Sequence, residues 1–230
     1  MLTLAFLRSS VGRKYLVGVS GLMLVGFAVI HLLGNLTIFI GQDAMNAYAE
    51  KLVHLGPLLW VARIMLIAAA AVHAVTAIQL ARENRAARPV GYRKEQSFQT
   101  TFAAKTMAVS GIFLLAYIVY HLLHFTFGVT QPAIAHLKDP LNRHDVHSMV
   151  ILGFQDIKVV AIYVVAMALL CSHLSHGIAS MFQSVGINDD RYTPLLKRIS
   201  HLTAAFLFIG YSSIPLAIYF GLVKLAGGMQ

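Results

Sequence analysis

The chain is poor in charge, poor in acid and almost without cysteine. Of its 230 residues 12% are charged, about half the roughly 25% of ordinary soluble domains. A soluble globule of this length could not solvate its surface with so few ionic groups. That excludes a cytosolic enzyme, a disordered chain and, despite a net charge of +9, a nucleic-acid binder. The single cysteine, Cys171, cannot form an intrachain disulfide, a four-cysteine zinc site, an iron–sulfur cluster or a CxxCH haem attachment. Gly-rich phosphate loops, a GxGxxG fingerprint, low-complexity tracts and internal repeats are also missing.

What is present is apolar, at 58% of the chain. It is gathered into five runs, at 15–39, 58–81, 105–127, 157–181 and 202–222. Each has at least the ~20 residues that cross a bilayer as a helix. The runs predict an all-α integral membrane bundle of five transmembrane helices, a single domain over residues 1–230. The two longest connections are 128–156 and 82–104, the second broken by Asn84, Pro89 and Gly91. The N-terminus does not read as a cleaved signal peptide, because its apolar stretch is short and Arg8, Arg13 and Lys14 follow it.

Lys and Arg give an orientation. The N-terminal segment, the second loop and the fourth loop carry twelve of the eighteen, including Arg8, Arg13, Lys14, Arg82, Arg85, Arg88, Arg93, Lys94 and Lys105. The positive-inside rule then puts the N-terminus in the cytoplasm and the C-terminus outside.

Histidine is the excess. There are eleven, more than the nine Asp and Glu together. His31, His73, His121 with His124, and His173 with His176 fall on the first four runs, and His201 at the start of the fifth. An imidazole in hydrocarbon is costly and marks function by default. One such residue would be explained as well by interhelical hydrogen bonding; histidines on four successive helices are less easily explained that way. At about 1.5 Å rise per residue, His31 and His121 lie ~24–25 Å from the cytoplasmic ends of their helices, and His73 and His173 ~14 Å. This depth arithmetic pairs His73 with His173 at an inner level and His31 with His121 at an outer level. His124 and His176 stand one turn nearer the membrane faces, at i+3. Facing helices could then clamp a planar cofactor in the bundle core. Small neighbours such as Gly34, Ala69, Ala74, Ser172 and Gly177 leave it room, although they equally serve close helix packing. Two imidazoles on one iron describe a bis-histidine haem b, an electron carrier.

The stretches 10–14 (SVGRK), 30–39 (IHLLGNLTIF), 56–63 (GPLLWVAR), 84–89 (NRAARP), 120–128 (YHLLHFTFG) and 173–186 (HLSHGIASMFQSVG) span most of the first 186 residues. On them the chain resembles the five-helix dihaem cytochrome b subunit, of b558 type, of succinate:quinone oxidoreductases, the succinate dehydrogenases and fumarate reductases. The resemblance implies axial ligands at His31, His73, His121 and His173, in the same two pairs, and two haems b. It implies a membrane anchor for a flavoprotein and an iron–sulfur subunit, and electron passage to or from membrane quinone, menaquinone in many dihaem members. It implies the cytoplasmic membrane of a bacterium, with lipid around the bundle. Some members carry a membrane-embedded acid near the fourth-helix ligand; here that neighbourhood reads Leu170-Cys171-Ser172, without a carboxylate.

Arg13, Lys14 and Arg82 inside, and Arg63 outside, are candidates for propionate contacts, with snorkelling to the interface as the plain alternative. For quinone, which needs a proton donor and hydrogen bonds to its ring oxygens, the outer candidates are Glu50, His54, Trp60 and Arg63. The inner candidates are Ser20, Arg13 and His201. The competing reading is a His-rich membrane metal enzyme or metal transporter using the two H-x-x-H pairs, His121/His124 and His173/His176. The apolar runs offer it almost no carboxylates, Asp156 standing at a boundary.

Overall fold

The structure is a computed structural model and describes residues 9–87, 102–184, 186–187 and 189–225. Arg8, Arg88, Arg93 and Lys94, part of the charge count above, lie outside the described residues. The fold is all-α, with no β-strand among the described residues. Five helices are long and apolar enough to span a membrane. In chain order the helices are α1 (Ser10–Asn35), α2 (Gln42–His54), α3 (Pro57–Ala86), α4 (Phe102–His121), α5 (Val146–Gly153), α6 (Ile157–Ser184) and α7 (Thr193–Tyr219). A 3-10 segment, Leu36–Phe39, follows α1, and a π turn, Leu122–Thr126, follows α4. The spanning helices α1, α3, α4, α6 and α7 correspond to the five apolar runs.

Helix ends differ from the runs because helix continues into polar sequence. α1 begins five residues before the first run, α7 nine before the fifth, and α3 carries Arg82 and Arg85 on its last turns rather than in a loop. His201, expected at a helix start, therefore sits two turns inside α7. Short α2 and α5 occupy stretches that the apolar runs leave out. The α2–α3 corner takes only Leu55 and Gly56; Gly56 has φ +54, where a side chain is disfavoured, and Pro57 starts α3 with the preset φ of a first helical residue.

The chain divides into two compact units, and each spanning helix contributes to both. The first holds Met1–Gly26, Ile64–Ile112 and Leu170–Ala205; the second holds Phe27–Arg63, Phe113–Leu169 and Phe206–Gln230. The second carries the apolar core around Ile38, Val150, Ile151, Phe154, Val160, Tyr163, Ile214 and Ile218. Next to the core, α2 and α5 are joined by a polar clasp. Asn46, fully buried, donates to Asp139 at 3.2 Å and Asp145 at 3.0 Å, and accepts from the His147 amide at 3.1 Å. Gln42 donates to Asp145 at 2.8 Å, and Asp145 caps α5 by accepting from the Ser148 amide. Arg143 bridges Asp139 at 2.7 Å and Asp43 at 2.8 Å. Burial alone would raise the Asp139 and Asp145 carboxyls. The hydrogen bonds from Arg143 and Asn46 to Asp139, and from Asn46, Ser148 and Gln42 to Asp145, hold both below the usual carboxylate value.

Candidate functional site

Four helices place four histidines in two pairs, one pair in each unit. In the first unit the rings of His73, on α3, and His173, on α6, have centroids 6.3 Å apart at 62°. In the second unit the rings of His31, on α1, and His121, at the end of α4, are 6.0 Å apart at 78°. These are the pairs expected from the depth arithmetic. Two imidazoles on opposite faces of one metal have centroids about 6 Å apart, given metal–nitrogen bonds of about 2 Å and about 1 Å from nitrogen to ring centre. Both pairs fit that spacing.

Hydrogen bonds select the nitrogen each ring presents. His73 Nδ1 lies 3.1 Å from the Val17 carbonyl, which can only accept, so Nδ1 carries the proton and Nε2 keeps its lone pair. The Ser20 hydroxyl, 3.4 Å from the same Nδ1, donates to the Leu16 carbonyl at 2.6 Å. Ser20, a candidate quinone contact by sequence, is thus engaged beside His73. His173 repeats the device. Its Nδ1 lies 3.1 Å from the Ser110 hydroxyl, which donates to the Met107 carbonyl and so accepts from the ring. Glycine gives the His73 ring space, since a Cβ on Gly21 would stand 3.1 Å from its Cε1; one on Gly111 would meet His173 Cε1 at 3.5 Å, an ordinary contact.

The second pair is set among aromatic rings. His31 stacks on Phe27 at 5.2 Å and 12° and lies 6.1 Å from Tyr211, whose hydroxyl donates to the Ala28 carbonyl. Asn35 donates to the His31 carbonyl at 2.7 Å, and its amide nitrogen is 3.3 Å from both ring nitrogens, favouring neither. His121 Nδ1 lies 3.2 Å from the Tyr163 hydroxyl, and His124 Nδ1 lies 2.9 Å from that same hydroxyl. Gly34, expected to leave room beside His31, is instead covered by the Tyr48 ring.

The other sequence candidates are dispersed. Arg13 pairs with Glu83 at 2.8 Å and keeps a buried Nε without a protein partner; Lys14 and Arg82 are exposed. Arg63 lies 5.1 Å over the Trp60 ring, and both side chains are exposed. Glu50 is half-buried on α2, His54 is exposed at its end, and exposed His201 has its Nδ1 on the Lys197 carbonyl at 2.6 Å. His176 is half-buried on α6, as is Cys171. Sequence reasoning missed Ser110 and Tyr163, since a hydroxyl residue in an apolar run carries no mark of its partner. Compared with protein-family models, with curated proteins and with solved structures, the chain finds no match.

Proposed function

We propose that the chain is a membrane anchor and electron-transfer subunit, carrying electrons between an iron–sulfur partner and membrane quinone through two bis-histidine haems b. The partner set read from the sequence resemblance is that of succinate dehydrogenase or fumarate reductase, docking on a cytoplasmic face that also holds the N-terminus. The observation that carries the reading is the repetition of one geometry: two separate histidine pairs, from four helices, at 6.3 and 6.0 Å. Bound between such pairs, a haem supplies one-electron oxidation and reduction with no open position for oxygen.

The chain's own residues do the rest. His73 and His173 would hold the inner haem, their Nε2 atoms made basic and oriented by Val17 and Ser110. His31 and His121 would hold the outer one, walled by Phe27, Tyr117, Phe125 and Tyr211. The buried, unpaired Nε of Arg13 is a donor suited to a propionate in the first unit. For quinone, the α2–α3 corner retains Glu50, His54, Trp60 and Arg63, whereas the Ser20 hydroxyl already donates to the Leu16 carbonyl. The metal-transporter reading draws no support from the side chains: among the described residues no three His, Cys, Asp or Glu stand close enough to hold a metal ion.

The test is a pyridine haemochrome assay on the purified chain, with succinate-to-quinone activity of the co-purified complex. Two haems b per chain is the expected result. A haem-free intact complex refutes the reading, and one haem per chain refutes the paired assignment.

A further inference from the structure

Beyond His121 a chain of hydrogen bonds runs to the connecting loop. It goes from His121 Nδ1 to the Tyr163 hydroxyl at 3.2 Å, on to His124 Nδ1 at 2.9 Å, and from His124 Nε2 to Gln131 Oε1 at 3.2 Å. His124 and Tyr163 are buried, at 2% and 6% exposure, and Gln131 is half-exposed. Each link constrains the next. The Gln131 carbonyl can only accept, so His124 Nε2 carries a proton and His124 Nδ1 keeps its lone pair. The Tyr163 hydroxyl, with one proton, must give it to that lone pair. Its oxygen is then left to accept, and the donor is His121 Nδ1. His121 is thereby fixed as the tautomer with a free lone pair on Nε2. Turned the other way, the Gln131 amide would reverse every proton in the series and leave His121 Nε2 protonated, unable to bind a metal.

We propose that Tyr163, His124 and Gln131 are positioning residues that select the ligating nitrogen of His121 and set its basicity from the loop. The inference rests on the haem reading above and goes beyond it. The local structure is built for the series. The π turn, closed by the Phe127 amide on the Leu122 carbonyl at 2.8 Å, brings His124 inward while Leu123 and Thr126 stay exposed. Gly153 of α5 lets the ring in, since a Cβ there would stand 2.8 Å from Phe125 Cε1 and 3.3 Å from His124 Nε2. Among the described residues the His73–His173 pair has no such series: its anchors are the Val17 carbonyl and two serines, each of which ends on a carbonyl.

The experiment is a spectroscopically monitored redox titration of the intact complex, with low-spin EPR of each haem. Removing an acceptor from Nδ1–H makes the imidazole a weaker donor to iron, so Tyr163→Phe raises the potential of the His31–His121 centre. One neutral hydrogen bond, about 0.5–1.4 kcal/mol, is about two- to tenfold in the reduction equilibrium, or up to about 59 mV for one electron. Gln131→Glu, a stronger acceptor, shifts the same centre the opposite way, and that shift shrinks in the Tyr163→Phe background because the link is cut. The EPR signal of the His73–His173 centre stays unmoved in all three. Equal shifts at both centres, no shift with Tyr163→Phe, or a Gln131→Glu shift undiminished in the double variant would overturn the inference while two haems per chain leave the functional reading intact. A wild-type complex without haem overturns both. Should Tyr163→Phe not assemble, Gln131→Leu against Gln131→Glu carries the test from the loop: opposite signs support it, and equal or absent shifts refute it.

Discussion

The two histidine pairs share a spacing and differ in how they are held. In the first unit the rings are held by the Val17 carbonyl, which can only accept, and by two serines that donate to carbonyls of their own helices. In the second, the rings stand among Phe27, Tyr117, Phe125, Tyr163 and Tyr211, and His121 is tied to side chains that themselves have two proton arrangements. The comparison teaches that one histidine-pair spacing can be anchored directly on the backbone and short serines, or adjustably through a series of longer side chains. The adjustable version needs a packed aromatic core to hold its longer side chains, and that core lies in the second unit.

Replacement of a ring should break the comparison most severely. If the two pairs hold haem as proposed, His121→Ala removes one of the two and spares the His73–His173 centre; a haemochrome count of one per chain, with that centre's EPR signal retained, checks it. Loss of the other centre instead would show the pairing to be wrong. Next comes the support of the second unit alone. Asn46→Ala leaves Asp139, Asp145 and the His147 amide short of partners in a buried site, at a cost of about 3 kcal/mol. Hydrogen exchange should rise in α2 and α5 and not around His73. A smaller effect, aimed at the first unit, is Gly21→Val, whose added carbons meet the His73 ring; the expected result is a broadened signal or reduced occupancy at that centre only. Ser110→Ala should be milder still, about 0.5–1.5 kcal/mol, read as a potential shift at the His73–His173 centre alone.

Acid sharpens the comparison by degrees. Asp139 and Asp145 have folded-state values below the ordinary 3.8, so the stability they contribute is present above that value and is lost as pH falls through the lower folded values. His147 is lowered from 6.5, chiefly by burial and against the pull of Asp145. Its unfolded form therefore takes up protons first, and stability declines gently from about pH 6.5 downward. Protection of the α5 amides, measured against the intrinsic exchange rate at each pH, should fall in both steps, the steeper one below pH 4. Protection in α5 that does not vary between pH 7 and 3 would contradict it.

The sequence makes the spans and the histidine pairs legible because apolar runs and buried imidazoles are both rare signals with a direct physical cost. Other parts of the molecule leave no such mark. α2 is polar enough to read as loop, and it folds because Asn46 and Gln42 find carboxylates about a hundred residues away. Tyr163 looks like any core aromatic until two histidines meet at its hydroxyl. Gly34 reads as open space beside His31, yet the ring that fills it comes from α2.

The π turn after His121 is also a matter of phase. An α-helix advances about 100° per residue, and the turn holds one residue more than the regular ladder allows. The residues within it, His124 among them, are set off by that step relative to α4. Deleting a single residue from Leu122–Thr126 would let the backbone close as ordinary helix while turning the following side chains out of register. A shortened chain could then be the better-formed helix and the worse holder of His121, so the extra residue works as a fixed angular offset written into the length of the sequence.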